Sequence, residues 1–186
     1  SLILEVFQPD LVHIQHMQRG SFDIIDEAKA RGLPVIFTIH DLYVYCPTVQ
    51  CMDYRGNYCG ASLDLDRCEK CIQRLFKFKL SIREWRARIG EYLQKCDLIV
   101  FASDHAREIY KKFYPLKASV VIPHGITPSE RKVESSSEFS VCVLGYACRH
   151  KGEEIGLELA LALEREGIPM HFVGPNWCEF FEKNYY

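Results

Sequence analysis

The sequence predicts an α/β protein with parallel sheets in two domains. Continuous β-branched apolar runs, such as residues 35–39, are typical of parallel strands that are covered on both faces. Helical patterns alternate with these runs, and the alternation begins again after a polar stretch at residues 125–138. The chain has 186 residues, 48% of them hydrophobic, which is ample for one core and near the size where a second is expected.

The first domain is expected over residues 1–124. Its predicted elements are the end of a helix at 2–7, a strand at 11–15, a helix at 21–32, a strand at 34–40, a helix at 72–94, a strand at 97–102, a helix at 103–113 and a strand at 118–123. Ser21 and Ser103 are expected helix N-caps, and Gly32 a helix stop. Residues 42–71 contain several Gly and Pro breakers and are expected to form a long irregular loop.

The second domain is expected over residues 139–186, after a linker at 125–138 that contains three consecutive serines. A strand is predicted at 139–144, a helix at 152–166 and a strand at 169–173. The chain starts without Met, in what reads as a helix already under way, so we expect the sequence to be a piece of a longer protein.

The charge balance excludes some classes of partner. With 23 basic and 25 acidic residues, the net charge of −2 gives no bulk attraction to nucleic acid, so no nucleic-acid partner is expected. No apolar run approaches the roughly 20 residues of a spanning helix, and no secretory signal is visible, which favours a cytoplasmic protein. The segment 74–88 carries six basic residues, and is read chiefly as a solvated helix face. Contact of this segment with anionic lipid is the alternative.

His40 and Asp41 are the first candidates for chemistry. They follow the strand at 34–40, at the carboxyl edge of the sheet, where open α/β folds bind ligands. A histidine there can orient a hydroxyl or stabilise developing charge. From the residues alone, a strand-capping role is favoured. His16 can reach the same edge, whereas His13 lies within a strand and is interpreted as structural.

A glycine-containing turn in the second domain is the second candidate. Between the strand ending at Leu144 and the next helix lie Gly145, Lys151 and Gly152, so backbone N–H groups, the helix dipole and a lysine can face an anion such as a nucleotide diphosphate. An ordinary turn with a solvated lysine is the equally weighted alternative, because Glu153 and Glu154 would repel a phosphate.

The nine cysteines form the third candidate. Five of them fall within residues 46–71, and Cys68-x2-Cys71 has the spacing of a zinc knuckle that two more thiolates would complete. Disulfides and free thiols are the alternatives to a structural zinc site. The cysteines at 96, 142 and 178 are expected to be buried and to behave as small hydrophobic residues.

Five segments together resemble glycosyltransferase family 4, a family of retaining enzymes with the GT-B fold. They are "QPDLVHIQH" (8–16), "PVIFTIHDLYVYCP" (34–47), "CDLIVFAS" (96–103), "VVIPHGI" (120–126) and "VCVLGYACRHKG" (141–152). The resemblance implies two Rossmann-like domains, the first on the acceptor side and the second binding a nucleotide-sugar. It implies a hexosyltransferase that moves a sugar, with retention, to a hydroxyl of a glycan, a lipid-linked acceptor or a polysaccharide precursor, without a metal in the reaction.

The resemblance also assigns roles to single residues. It places His40 near the donor sugar and Lys151 at the donor phosphates, but Tyr146 stands where the family has an arginine that Arg149 could replace. Some members of the family carry a cluster of cysteines, and the resemblance matches that cluster to four cysteines of this chain: Cys46, Cys59, Cys68 and Cys71. Cys51 has no counterpart in that pattern. Glu158 and Glu166 have the spacing of the family's donor-binding pair but the wrong context, so that pair is missing.

Two further functions stay open at this stage. One is a zinc-stabilised module that binds nucleic acid or a protein, and the other is an inactive GT-B-like regulatory protein. The strand-end His-Asp pair and the second β-α-β unit speak against the binding module, whereas Tyr146 and the missing glutamate pair fit the inactive protein.

Overall fold

The computed structural model describes residues 2–18, 20–76, 81–128 and 138–185, and of Asn184 and Tyr185 only the backbone. The chain divides into two compact units, Ser1–Ile126 and Thr127–Tyr186, which are referred to below as unit 1 and unit 2. Most of the predicted linker, residues 129–137, lies outside the described residues. The sheets in both units are parallel, which confirms the α/β class and the Rossmann-like arrangement.

Unit 1 contains a four-stranded parallel sheet and five α-helices within its described part. In chain order, the elements are α1 (Leu2–Phe7), β1 (Val12–Ile14), α2 (Asp23–Ala30), β2 (Val35–Ile39), α3 (Leu65–Leu75), α4 (Ile82–Lys95), β3 (Leu98–Phe101), α5 (Asp104–Lys111) and β4 (Ser119–Val121). The strands lie in the order β1-β2-β3-β4. Every predicted strand of this unit is present, each one or two residues shorter at its ends than the apolar pattern indicated.

The register of the strands brings their carboxyl ends to one edge. Ile14 pairs with Phe37, Ile39 with Phe101, and Phe101 with Val121. The central strands β2 and β3 are buried along most of their length, which agrees with their continuous apolar sequence. Residues that follow the strands therefore meet at this edge, which we call the carboxyl edge of unit 1.

Two helices replace the single helix that was predicted at 72–94. The helix α3 begins at Leu65, within the segment expected to be irregular, because the Asp64 side chain accepts a hydrogen bond from the N–H of Arg67 and caps it. Ser81 caps α4 in the same way through the N–H of Glu84. Cys68 and Cys71 consequently lie on a helix, one turn apart, rather than in a loop.

Unit 2 pairs two parallel strands and packs helices against them. Its elements are β5 (Val141–Leu144), a 3-10 turn (Arg149–Lys151), α6 (Glu153–Arg165), β6 (Met170–Val173) and α7 (Trp177–Tyr185). The final helix was not predicted. Trp177 is buried at its start, packs against Phe172 and leaves no space beside Gly156, where an added Cβ would lie 3.1 Å from the indole.

Two of the three cysteines that were expected to be buried are exposed. Residues alternate between the two faces of β5, and Cys142 lies with the exposed Leu144 on the face opposite the partly buried Val141 and Val143. Cys178 lies on the exposed side of α7, next to the buried Trp177. Cys96 is buried as predicted, and burial raises the pKa of its thiol to about 12.

None of the helices in the described part of the chain is long and apolar enough to span a membrane.

Candidate functional site

The carboxyl edge of unit 1 collects polar side chains from three strand ends. Gln15 and His16 follow β1, His40 and Asp41 follow β2, and His124 comes three residues after β4. The parallel register, rather than sequence proximity, brings them together. The sequence predicted His16, His40 and Asp41 at this edge, and all three are found there.

His40 is held by two neighbours although its side chain is exposed. Its Nε2–H donates to Oε1 of Gln15 at 2.9 Å, across from the end of β1. Its ring is stacked on that of His124, with the centroids 5.4 Å apart and the planes 10° from parallel. These contacts fix the ring, and the hydrogen bond to Gln15 occupies Nε2 of His40. Among the described residues, Nδ1 of His40 has no hydrogen-bond partner.

Asp41 is fixed by contacts on both carboxylate oxygens. Oδ2 lies 2.8 Å from Nε2 of His16, and Oδ1 accepts a hydrogen bond from the N–H of Tyr43 at 2.8 Å. Nδ1 of His16 accepts from the N–H of Gln18, so the ring proton of a neutral His16 lies on Nε2 and is donated to Asp41. The hydroxyl of Tyr110 donates to the carbonyl of Asp41 from the buried side. Asp41 therefore positions other groups, and its oxygens are already engaged.

The pKa of the Tyr43 phenol is raised, first by burial and then by the nearby Asp41 carboxylate. Its ring also stacks on His16, with the centroids 5.7 Å apart. The Tyr43 side chain therefore stays neutral at ordinary pH and packs beside His16 at the carboxyl edge. His13, interpreted from the sequence as structural, points Nε2 at Oγ1 of Thr38 at 2.8 Å.

The turn after β5 uses its backbone donors internally. The N–H groups of Lys151 and Glu153 bond to the carbonyl of Cys148, and that of Gly152 bonds to the carbonyl of Arg149. The sequence predicted that such groups would be free to face an anion, and these three are engaged. The side chains of Arg149 and Lys151 are exposed.

Gly145 and Gly152 shape this turn. The indole N–H of Trp177 donates to the carbonyl of Gly145 at 2.8 Å. Gly152 has a φ of +78° and stands between the 3-10 turn and α6. Tyr146, at the position where the family has an arginine, is exposed and lies 3.3 Å from Nε2 of His150 through its hydroxyl. The basic side chains of the turn are therefore exposed to an anion, while the three N–H groups named above are already bonded.

Five thiols line one small cavity between α3, α4 and the segment that precedes them. The cavity has a volume of about 20 Å³. Its cysteines are the four predicted ligands and one other: Cys46, Cys59, Cys68, Cys71 and Cys51. Cys51, which the sequence analysis left out of the set, is the most deeply buried of them, with 1% exposure.

The thiols of this cavity have different pKa values, because they differ in hydrogen bonding and burial. The one S–H of Cys51 can be donated to Cys46 or to Cys59 but not to both at once, and this hydrogen bond is the first cause of a lowered pKa, to about 6 for Cys46 and to about 5 for Cys59. The pKa of Cys51 is raised by the same two contacts, and burial raises the pKa values of Cys68 and Cys71. Either Cys46 or Cys59 is therefore favoured in the thiolate form that metals bind.

The cavity fits a single metal ion by donor chemistry and by size. In the described part of the chain, no group of three or more His, Cys, Asp or Glu side chains is already arranged to hold a metal ion, so ligation would require the cysteines to move from these positions. Two cysteines with two residues between them suit tetrahedral zinc, and a volume of about 20 Å³ admits one ion.

The basic segment 74–88 is not a uniform solvated face. Arg86 is 1% exposed, whereas Arg83 is exposed and pairs with Asp66. Lys77 and Lys79 lie outside the described residues. Grouping Arg86 with the solvated residues was therefore wrong, because it shares the inward face of α4 with Ile82 and Ile89.

Sequence reasoning missed three residues of these sites. His124 stood in the segment "VVIPHGI", but its meeting with His40 depends on strand order. Cys51 was set aside as the extra cysteine. Arg86 has the spacing of a buried residue, since it lies four residues after Ile82 and three before Ile89. It was nevertheless predicted to be solvated because it is charged.

Comparison with known proteins gives one match. The family model of Glycosyltransferase Family 4 matches residues 1–130, more than half of the chain and including the whole carboxyl edge of unit 1. Searches of curated proteins and of solved structures found no match. The chain therefore belongs to Glycosyltransferase Family 4.

Proposed function

We propose that the protein is a hexosyltransferase that moves a sugar from a nucleotide-sugar donor to a hydroxyl acceptor with retention, on a GT-B framework. The acceptor class would be a glycan, a lipid-linked sugar or a polysaccharide precursor. The observation that carries the proposal is the pair His40 and Asp41, fixed at the carboxyl edge of a parallel sheet within the residues that match the family. Family membership supports transferase activity in general.

His40 would face the reacting centre. The neighbours Gln15 and His124 hold its ring, so the histidine can orient a sugar hydroxyl or stabilise charge in the transition state without losing rotamer freedom at that moment. Asp41 and His16 form a supporting pair beside it, in which His16 would contact the donor. The position of His124 on the His40 ring makes it a further positioning residue of this site.

Unit 2 would contact the donor diphosphate through charge. Arg149 and Lys151 are exposed and adjacent to the start of α6, and Gly145 and Gly152 give the turn its shape. Since the N–H groups of Lys151, Gly152 and Glu153 are engaged, the interaction is expected to depend on the basic side chains. The reaction itself would need no metal.

We also propose a structural zinc ion in the cysteine cavity, held by Cys46, Cys59, Cys68 and Cys71. The support is the gathering of these thiols around a cavity of one ion's size. The zinc would supply folding energy to a segment, residues 42–64, that has little regular structure of its own.

We do not extend the proposal to a membrane contact of segment 74–88. Its four described arginines already have protein partners: Arg74 lies 4.4 Å from the Tyr54 ring, Arg83 pairs with Asp66, Arg86 is buried, and Arg88 lies 3.8 Å from Asp23. A cytoplasmic location remains part of the proposal.

The test replaces His40 with alanine in the protein as its gene encodes it. Release of nucleoside diphosphate from a panel of nucleotide-sugars would be measured with and without acceptor sugars. His40→Ala should lower kcat by about 100-fold or more, as for loss of a positioned acid-base or electrostatic group. Lys111→Ala, which removes an exposed side chain at the far end of α5, is the control and should leave kcat unchanged.

Equal turnover of His40→Ala and the wild type would remove His40 from the reacting centre. A wild-type protein that binds nucleotide-sugars but transfers none would favour the inactive regulatory protein. Far-ultraviolet circular dichroism should show that both variants fold, because neither side chain is in the core.

A further inference from the structure

Arg86 is a buried cation whose charge the sugar-transfer site does not use. It is 1% exposed and is the largest side chain among those fully buried. The arginines on either side of it on α4 behave differently: Arg83 is exposed against Asp66, and Arg88 is exposed with Asp23 3.8 Å away. Because a guanidinium stays protonated, burying it requires compensation by other groups.

The contacts of Arg86 supply hydrogen bonds but little negative charge. Its Nε donates to the carbonyl of Tyr45 at 3.1 Å, and both terminal nitrogens donate to the carbonyl of Ser62 at 3.3 Å. The guanidinium also lies 4.1 Å from the centroid of the Tyr45 ring and 4.9 Å from that of Phe113. Within the described residues, none of these partners is a carboxylate, so these contacts offer the charge only dipoles and ring faces.

The remaining contact of Arg86 points to the missing anion. Its Nη2 donates to Sγ of Cys68 at 3.7 Å, and Arg86 itself lines the cavity that contains the five thiols. Its carbonyl partners flank the other cysteines, since Tyr45 precedes Cys46 and Ser62 lies three residues after Cys59. Arg86 thus touches each of the three chain segments that bring thiols to the cavity.

We propose that Arg86 is a counter-cation of a negatively charged thiolate centre in this cavity, which Arg67 also lines, and that the N–H···S contact of Arg86 positions Cys68 there. The proposal rests on the zinc site proposed above. A zinc ion with four thiolates carries a net charge of −2, so a guanidinium beside one sulfur would lower the cost of that charge in a buried place. Donors outside the ligand set orient and tune metal ligands in this way.

The test compares zinc affinity in four forms of the whole protein. The forms are the wild type, Arg86→Gln, Arg86→Lys and the control Arg83→Gln. Competition with a chromophoric chelator would give the affinity of each. The wild type and Arg83→Gln should bind one zinc equally, Arg86→Gln should bind it 10- to 100-fold more weakly, and Arg86→Lys, which keeps the charge, should lie between them.

A second measurement separates a counter-cation from a merely structural residue. The melting temperature would be measured for the wild type and Arg86→Gln, with zinc bound and after zinc removal. A counter-cation predicts that Arg86→Gln lowers the melting temperature of the zinc-bound protein and has a much smaller effect, or a stabilising one, on the zinc-free protein. Where Arg86→Gln does not fold without zinc, Arg86→Lys takes its place in the same comparison.

Three results would overturn the proposal. Equal zinc affinity of Arg86→Gln and the wild type would do so, and so would an equal loss of melting temperature with and without zinc. A wild-type protein that takes up no zinc would remove the metal site and this role together. None of these results bears on sugar transfer, which the His40→Ala experiment reports separately.

Discussion

The two strand ends that the sequence marked as functional are built in different ways. At the end of β2, His40 and Asp41 are held by side chains from other elements, Gln15 and His16 after β1 and Tyr110 on α5. At the end of β5, the turn through Lys151 is held by its own backbone, and its basic side chains point outward with exposed surfaces.

The difference shows what each strand end is prepared to do. Side chains that are fixed by several neighbours can hold a reacting group in one geometry, which is what catalysis requires. An exposed lysine on a closed turn can attract a phosphate by its charge but does not fix its orientation as a fork of donors would. The carboxyl edge of unit 1 is therefore the more prepared of the two, and the following variants test that comparison.

The largest effect on stability is expected for Gly174→Ala in unit 2. Gly174 follows β6 with a φ of +146°, and an added Cβ would lie 2.0 Å from the carbonyl oxygen of Gly145. The two turns would have to separate, at a cost of about 3 kcal/mol or more. Denaturant unfolding, followed by the fluorescence of Trp177 in a Trp85→Phe background, would measure this.

Gly167→Ala is the matched control for that variant. Gly167 also has a positive φ, +67°, but nothing lies within 4 Å of its added Cβ. It should therefore cost only about 1 kcal/mol. Equal losses for the two variants would show that backbone conformation, and not the close approach of the turns, dominates at Gly174.

A smaller effect is expected for Lys151→Ala. Removing one exposed charge from the turn should weaken the binding of a nucleotide-sugar about tenfold, which corresponds to about 1.4 kcal/mol. Isothermal titration calorimetry would compare it with Arg165→Ala, which removes an exposed charge from the other end of α6. If both variants bind as tightly as the wild type, Lys151 does not contact the donor and the turn is structural.

The strands were predictable from the sequence because their signal is local. Residues 35–39 and 98–101 are apolar and β-branched, and central parallel strands need no other information. The start of α3 was missed because the breakers Gly56 and Gly60 suggested a longer loop, although Asp64 is a good N-cap.

The site residues that follow a strand closely, which are His16, His40 and Asp41, were predictable from the sequence. His40 and Asp41 follow their strand directly, so the edge they occupy could be predicted. The stacking of His124 on His40 depends on which strands are neighbours, and the approach of Arg86 to Cys68 depends on how α4 packs against α3. Such contacts join residues that are 84 and 18 positions apart, counted from His40 to His124 and from Cys68 to Arg86, and no local pattern encodes them.

The smallest effect is expected at the amino edge of the same sheet, for Asp97→Asn. Oδ2 of Asp97 accepts hydrogen bonds from the N–H of Val35 at 2.7 Å and from Nζ of Lys29 at 2.9 Å. The Lys29 contact, followed by that of the Val35 N–H, lowers the pKa of the Asp97 carboxyl. Since the carboxylate is about half exposed, solvent screening limits its contribution to about 0.5–1 kcal/mol.

The pH dependence of that effect follows from the direction of the pKa shift. A carboxyl whose pKa is lowered by folding contributes its stability above its unfolded value, which is about 3.9, and loses it as the pH falls through the folded value. The difference in free energy of unfolding between the wild type and Asp97→Asn should therefore be constant from pH 5 to 7 and shrink below about pH 4. Sugar transfer at pH 7 should be unchanged, because Asp97 lies at the edge opposite His40. If Asp97→Asn instead lost as much transfer as His40→Ala, activity would depend on the stability of the whole sheet. The carboxyl edge would then not differ in this respect from the rest of unit 1.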